Sequence, residues 1–391
     1  MERKIRFATA IPDFSKRRGG AERYVVDLCT WMAGEGYEVH VYAERWEEGV
    51  KGILLHRVRT IPFPKSLRLL SFAIKATREI KRGQYDVTLG VGNTLEADVL
   101  QPHGGVHWAW FWRSLKAYDH PLLRSIKFLG RVLSPKQWVQ GYIESAPFKR
   151  GSYKRIVAIS DMVKEDLIQW YKIPEDRIAV VYNGVDTVRF HPQNRRYRDE
   201  IRKRYGFGED FLILFVSNNF RMKGLHTLIR ALGDLKKGGC PPFKLMILGR
   251  DRQTPYLRLA KQSGVSEDIV FAGSTDEPEK YYGAADLLVH PTYYDACSLT
   301  VLEALASGLP VITTSWNGAS GVMRTHREGL VLSDPRDHGS LAQSILLFLK
   351  RGAGQNPSDP EGAMVPYSHQ GTWHTLSQLF SGIQSGGRCS P

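Results

Sequence analysis

Two carboxylates eight residues apart mark where this chain could hold a polyhydroxylated ligand. In "HPTYYDACSLTVLEALASGLPVITT", residues 290 to 314, Asp295 stands in a polar loop and Glu303 on the short helix that follows. A helix starting near Ser298 puts Leu299, Val301, Leu302, Leu305 and Ala306 on one face, with Glu303 at its edge. Carboxylates only accept hydrogen bonds and so suit vicinal hydroxyls. The same two acids would also fit a helix-dipole partner and an ordinary loop acid. Cations are the second element. Arg221 and Lys223, in "SNNFRMKGLHTLIRAL", precede a helix beginning near Gly224. Cations beside a helix N-terminus oppose the dipole, so they read either as a solvated basic loop or as a diphosphate clamp. With a diphosphate between them, Glu303 would serve a ribose and Asp295 a sugar. Gly19 and Gly20, in "PDFSKRRGGAER", open another helix and let backbone N–H groups approach an anion. The dinucleotide pattern G-x-G-x-x-G is missing from that turn, which argues against a dehydrogenase. His103, followed by Gly104 and Gly105, ends a predicted strand, and His107 lies just beyond it.

The elements that must position these residues alternate between apolar strand-like runs and helices. "IRFATAI", "YEVHVYA", "YDVTLGV", "RIVAIS" and "RIAVVYNGVD" are separated by helical stretches at 20–36, 66–82 and 160–173. The pattern restarts at "FLILFVS" and continues through "FKLMILG", "DIVFAG" and "ADLLVHP". Such alternation implies parallel sheets with helices on both faces. The predicted class is α/β with two doubly wound, Rossmann-like domains facing each other across a cleft, where ligands meet the C-terminal strand ends. The expected boundaries are 1–190, 191–350 and a linker and docking tail at 351–391, with one helix in "TWHTLSQLFSGI". The charge-dense stretch 187–210 reads as the connector.

Length and composition agree. With 391 residues two domains are the default. Cys29, Cys240, Cys297 and Cys389 are scattered, which suits a reducing compartment without a disulfide framework. No apolar run approaches the ~18 residues of a spanning helix, and "MERKIRFATAIPDF" reads as a first strand rather than a leader. A cytoplasmic location is expected.

In order along the chain, "GGAER" at 19–23, "YNGVD" at 182–186, "NFRMKG" at 219–224 and "HPTYYDACSLTVLEALASGLPV" resemble the retaining GT-B glycosyltransferases of family 4. Within it, the chain is similar to the branch that adds glucose to heptose of the lipopolysaccharide core. The resemblance runs from residue 5 to about 350. It implies a GT-B fold and a nucleotide-sugar donor, UDP-glucose, used as co-substrate with no cofactor and no metal. It implies that Arg221 and Lys223 bind the diphosphate, Glu303 the ribose, and Asp295 with the backbone of Ser298, Leu299 and Thr300 the sugar. Gly19 and Gly20 would approach the phosphates, Asn183 belongs to the substrate-binding set, and His103 would lie near the reacting sugar. Two departures are visible: the first acid is Asp295 where the family has Glu, and Cys297-Ser298 replaces Phe-Gly.

The net charge of +14 points to an anionic partner. Residues 99–155 hold ten Lys or Arg against Asp119 and Glu144, interleaved with Trp108, Trp110, Phe111, Trp112, Trp138 and Tyr142. Residues 63–82 add six basic side chains and one acid. That composition suits an acidic membrane surface, single-stranded nucleic acid or a solvated face over an aromatic core. Since the family's acceptor is lipid-linked and phosphorylated, the expected partner is the cytoplasmic face of the inner membrane, with no nucleic acid. The competing functions are a same-fold UDP-sugar epimerase or synthase and a basic nucleic-acid-binding protein.

Overall fold

The computed structural model describes residues 3–16, 19–47, 51–325, 328–352 and 364–384. The chain divides into two compact units. The first comprises Met1–Leu115, His120–Tyr182 and Thr372–Pro391, the second Lys116–Asp119 and Asn183–Gly371.

In the first unit the strands are β1 (Arg6–Ala10), β2 (Asp13–Phe14), β3 (Glu38–Ala43), β4 (Arg45–Trp46), β5 (Ile53–Arg57), β6 (Val87–Gly90), β7 (Val99–Leu100), β8 (Arg155–Ala158) and β9 (Ile178–Val180). Seven form one parallel sheet in the order β5-β3-β1-β6-β7-β8-β9, and β2 pairs with β4. The order reverses between β1 and β6. Helices α1 (Gly20–Gly34), α2 (Lys65–Arg82), α3 (His107–Leu115), α4 (Pro121–Val132), α5 (Pro135–Arg150) and α6 (Asp161–Tyr171) complete the unit. Strand β1 is buried along nearly its whole length, as a strand covered on both faces must be. Ser160 caps α6 by accepting from the Val163 N–H at 3.2 Å.

Helix α4 touches α3 through Phe128 and Arg131, but none of its residues is buried, and Leu122, Leu123, Ile126 and Leu129 are each more than half exposed. Trp112, Trp138 and Tyr142 are exposed nearby in sequence, whereas Phe111 is core. The basic, aromatic segment is therefore part surface and part interior.

In the second unit, α7 (Arg198–Tyr205) precedes β10 (Phe211–Val216), α8 (Leu225–Lys237), β11 (Phe243–Leu248), α9 (Thr254–Ser263) and β12 (Ile269–Gly273). Then follow α10 (Pro278–Ala284), β13 (Leu287–His290), α11 (Leu299–Ala306), β14 (Val311–Thr314), β15 (Gly329–Leu332) and α12 (His338–Arg351). All six strands are parallel in the order β12-β11-β10-β13-β14-β15. Here the order reverses between β10 and β13.

The first unit passes to the second between Tyr182 and Asn183. The charge-dense stretch that follows is folded. Arg202 is buried and its guanidinium donates to Asp286 at 2.6 Å and to the carbonyls of Gly208 and Asp210. One charged side chain of the stretch is thus interior, because its donors have fixed acceptors. The helix expected near the C-terminus is α13 (His369–Gln384). From Thr372 on it groups with the first unit, where buried Trp373, Leu376 and Phe380 form one stripe and the Phe380 ring packs 5.7 Å from that of Phe7. Residues 353–363 of the tail, and Cys389, lie outside the described residues.

Candidate functional site

At the reversal between β10 and β13 the two loops leave in opposite directions, which opens a crevice at the C-terminal strand ends. The loop after β10 carries Arg221 and Lys223, and the loop after β13 carries Asp295. Gly224, at φ +78°, ends the first loop; a Cβ there would stand 2.1 Å from the Pro291 carbonyl oxygen. Only glycine permits that approach. The loops are further joined by the Tyr293 N–H to Met222 carbonyl bond at 2.9 Å.

The result is an ion pair. Lys223 Nζ stands 2.5 Å from Asp295 Oδ2 and 3.4 Å from the Tyr294 carbonyl. His290, the last residue of β13, places Nε2 3.7 Å from the same carboxylate oxygen. Burial alone would raise the Asp295 pKa, but Lys223 and His290 outweigh it and hold the group below the usual carboxylate range. Burial lowers the His290 pKa against the pull of Asp295, so the imidazole is neutral at neutral pH. Arg221 donates to the Ala117 carbonyl at 3.4 Å and its guanidinium lies 4.8 Å from the centre of the Tyr118 ring, both in the short segment that groups with this unit.

The acid loop is pinned on its other side. Asp295 N–H donates to the Trp316 carbonyl and Asp295 carbonyl accepts from Gly318. Asn317, fully buried, accepts from the N–H groups of Ser298 (3.3 Å) and Ala319 (3.1 Å). Asn183 donates to the Cys297 carbonyl at 3.2 Å. Ser298 is the N-cap position of α11, followed by half-buried Leu299 and Thr300. The first N–H groups of any helix lack intrahelical acceptors, so this end attracts anions. Glu303 sits at the edge of the apolar face, as its spacing predicts, and its Oε2 accepts from the Tyr282 hydroxyl at 2.9 Å. Gly249 brings the loop after β11 against the carbonyl of Ser217, and Asp251 accepts from the Phe220 N–H at 2.8 Å.

The structure thus gathers Arg221, Lys223, Asp295, Ser298, Leu299, Thr300, Glu303 and Asn183 in one unit. Gly19, Gly20 and His103 belong to the other. Gly19 is extended, at φ −159°, and Gly20 begins α1, so neither conformation requires glycine. Buried His103 packs its ring 3.9 Å from that of Tyr24 on α1, and Tyr24 Oη accepts from Gln101 Nε2 at 3.1 Å. Burial pushes the His103 pKa down to about 3, so the ring is neutral. His107 is also buried, its backbone N–H held by Glu144.

Sequence reasoning passed over His290, Asn317 and Tyr282. The first two had a signal: a lone polar residue closing the apolar run "ADLLVHP", and an Asn just past the strand "PVITT". Tyr282 had none.

Residues 197–359 match the glycosyl transferases group 1 and residues 18–189 match glycosyltransferase family 4. A D-inositol 3-phosphate glycosyltransferase of Salinispora arenicola is 31% identical over 364 residues, 85% of this chain and 79% of that protein. The chain belongs to the family 4 glycosyltransferases. This glycosyltransferase is 24% identical to the lipopolysaccharide glucosyltransferase WaaG of Escherichia coli K12 over 342 residues, 87% of each chain. The crystal structure of WaaG superposes with a TM-score of 0.74 at 22% identity, covering 97% of this chain and all of WaaG. HepE of Anabaena, solved with UDP-glucose, superposes at 0.65 with 16% identity over 98% of this chain and all of HepE. The two parallel sheets and the GT-B architecture follow from these likenesses. Among the described residues no helix is long and apolar enough to cross a membrane.

Proposed function

We propose that this glycosyltransferase moves glucose from UDP-glucose to a lipid-linked, phosphorylated saccharide, a heptose of the lipopolysaccharide core, with retention of the anomeric configuration. The observation that carries the reading is the Lys223–Asp295 pair at the strand-order reversal, beside the N-terminus of α11. In this scheme Arg221 and Lys223 hold the donor diphosphate and take up the charge that grows as it leaves. Glu303, oriented by Tyr282, accepts from the ribose hydroxyls. Asp295 and the N–H groups at 298–300 hold the sugar, and Asn183 fixes their loop through the Cys297 carbonyl. The C1–phosphate bond breaks, the acceptor oxygen bonds C1 on the same face, and its proton passes to the leaving phosphate. The nucleotide-sugar is a co-substrate; the scheme uses no resident cofactor or metal.

The name of WaaG supports glucose and the lipopolysaccharide acceptor. The surface of α4 supports docking of the enzyme on an anionic membrane, its apolar side chains in the headgroup layer and Arg124 and Lys127 toward lipid phosphates. The test is a donor panel assayed with core glycolipid acceptors, with products analysed by mass spectrometry and by NMR of the new anomeric centre. An α-glucosylated heptose from UDP-glucose is the expected product. Transfer from other donors only, or inversion, would replace this reading.

A further inference from the structure

Outside the site described above, a shallow cavity of about 370 Å³ lies between α2 and α5. Its floor is Ile74, Thr77 and Leu95, and its rim is Arg78, Lys81, Arg82 and Arg150. The floor is held by the Leu95 N–H donating to Thr77 Oγ1 at 2.9 Å. Lys81, Arg82 and Arg150 lie in the last turns of their helices, where a cation's ordinary task is to complement the dipole. They also have acid partners: Lys81 and Arg150 share Glu96, and Arg82 pairs with Glu79 at 3.1 Å. Arg78 stands one turn earlier, is exposed, and has no acid partner among the described residues. Four cations facing two carboxylates over an apolar floor leave a site that is cationic at the rim and greasy beneath.

We propose that this groove binds the phosphate monoester head of an anionic amphiphile. A monoester carries about −1.5 to −2 near neutrality, which matches the excess charge of the rim; a diester carries less. Its planar donor fork lets Arg78 take two phosphate oxygens at once, and the first methylenes of the carrier rest on Ile74 and Leu95. The volume suits a headgroup and the start of a chain, not a whole lipid.

The experiment titrates the intact enzyme, by calorimetry, with soluble dihexanoyl phosphatidic acid below its micelle concentration. Dihexanoyl phosphatidylglycerol, dihexanoyl phosphatidylcholine and inorganic phosphate are the comparison ligands. Phosphatidic acid should bind best, and Arg78→Ala should weaken it by roughly tenfold or more, the effect of one lost charge-assisted contact. Ile74→Ser should weaken phosphatidic acid while leaving inorganic phosphate unchanged. Equal binding of inorganic phosphate would overturn the amphiphile, equal binding of the diester would overturn the monoester, and insensitivity to Arg78→Ala would overturn the site. Because no bilayer is present, the result is independent of whether α4 docks on membranes.

Discussion

Lys223 Nζ and Asp295 Oδ2 meet at 2.5 Å although they come from loops after different strands, and His290 Nε2 completes the contact at 3.7 Å. Each ion restrains the other, so the loop after β10 and the loop after β13 are fixed as one piece before any ligand arrives. Such preorganisation spares the site reorganisation when charge develops. Lys223→Ala should therefore lower turnover by roughly 10²- to 10³-fold, the usual consequence of removing one preorganised charge-stabilising donor. Near-normal turnover in a folded variant would remove Lys223 from the proposed donor clamp.

The two acids separate by ligand. Glu303→Ala should weaken both UDP and UDP-glucose, since a ribose is present in each. Asp295→Ala frees Lys223 and so should weaken UDP somewhat, but it should weaken the nucleotide-sugar further, by about 1.5–3 kcal/mol per lost bond to a charged group. Tyr282→Phe, which leaves Glu303 without its hydroxyl donor, should follow Glu303→Ala more weakly. Calorimetry of the variants against both ligands decides it, and unchanged binding throughout would make the spacing of the two acids a matter of helix construction.

What could be read in the sequence was whatever is local. The alternation of apolar runs and helices gave two parallel sheets, and the spacing from Ser298 to Glu303 placed α11 and its half-buried acid. What could not be read was pairing at long range. Lys223 and Asp295 looked like separate devices because nothing in either motif says that Gly224 lets their loops pack together. Arg202 looked like a solvated connector residue because its acceptors Gly208, Asp210 and Asp286 are recognisable only after β10 and β13 pair. The α13 stripe was legible as a helix, yet its burial against β1 depends on a partner more than three hundred and sixty residues away.

That connector gives a stability prediction. Asp286 is almost wholly buried and accepts from Arg202, pairs with Arg198 at 2.8 Å, and also accepts from the Leu212 N–H at 2.9 Å. Asp286→Ala strands two guanidinium groups and should destabilise the second unit by about 3–5 kcal/mol, as for a buried pair broken on one side. Thermal denaturation measures it. A loss under about 1 kcal/mol would mean that water replaces the carboxylate.

His103 supplies a pH prediction. With burial holding its pKa at about 3, its ring carbon resonances should not titrate between pH 5 and 8, and it should contribute no inflection to kcat in that range. A midpoint near 6.5 would show that the ring is hydrated in solution and that its packing on Tyr24 is loose.

Glu144 shows the opposite sign. It is half-buried, accepts from the His107 N–H at 2.9 and 3.0 Å and from the Tyr171 hydroxyl at 2.6 Å, yet burial raises its pKa from 4.5 to about 7 despite those donors. In the folded state the proton is held more tightly than in the unfolded chain. Its favourable contribution is therefore complete below about pH 4.5 and is lost as pH rises through about 7. Glu144→Gln keeps an acceptor for His107 but cannot ionise. The variant should thus gain thermal stability relative to the parent as pH goes from 5 to 8, while the two converge on the acid side. Scanning calorimetry of both proteins across that range reads the difference directly. A constant gap between the two melting temperatures would mean that Glu144 stays ionised throughout, held by Tyr171 and the N-terminus of α3 more strongly than burial opposes it.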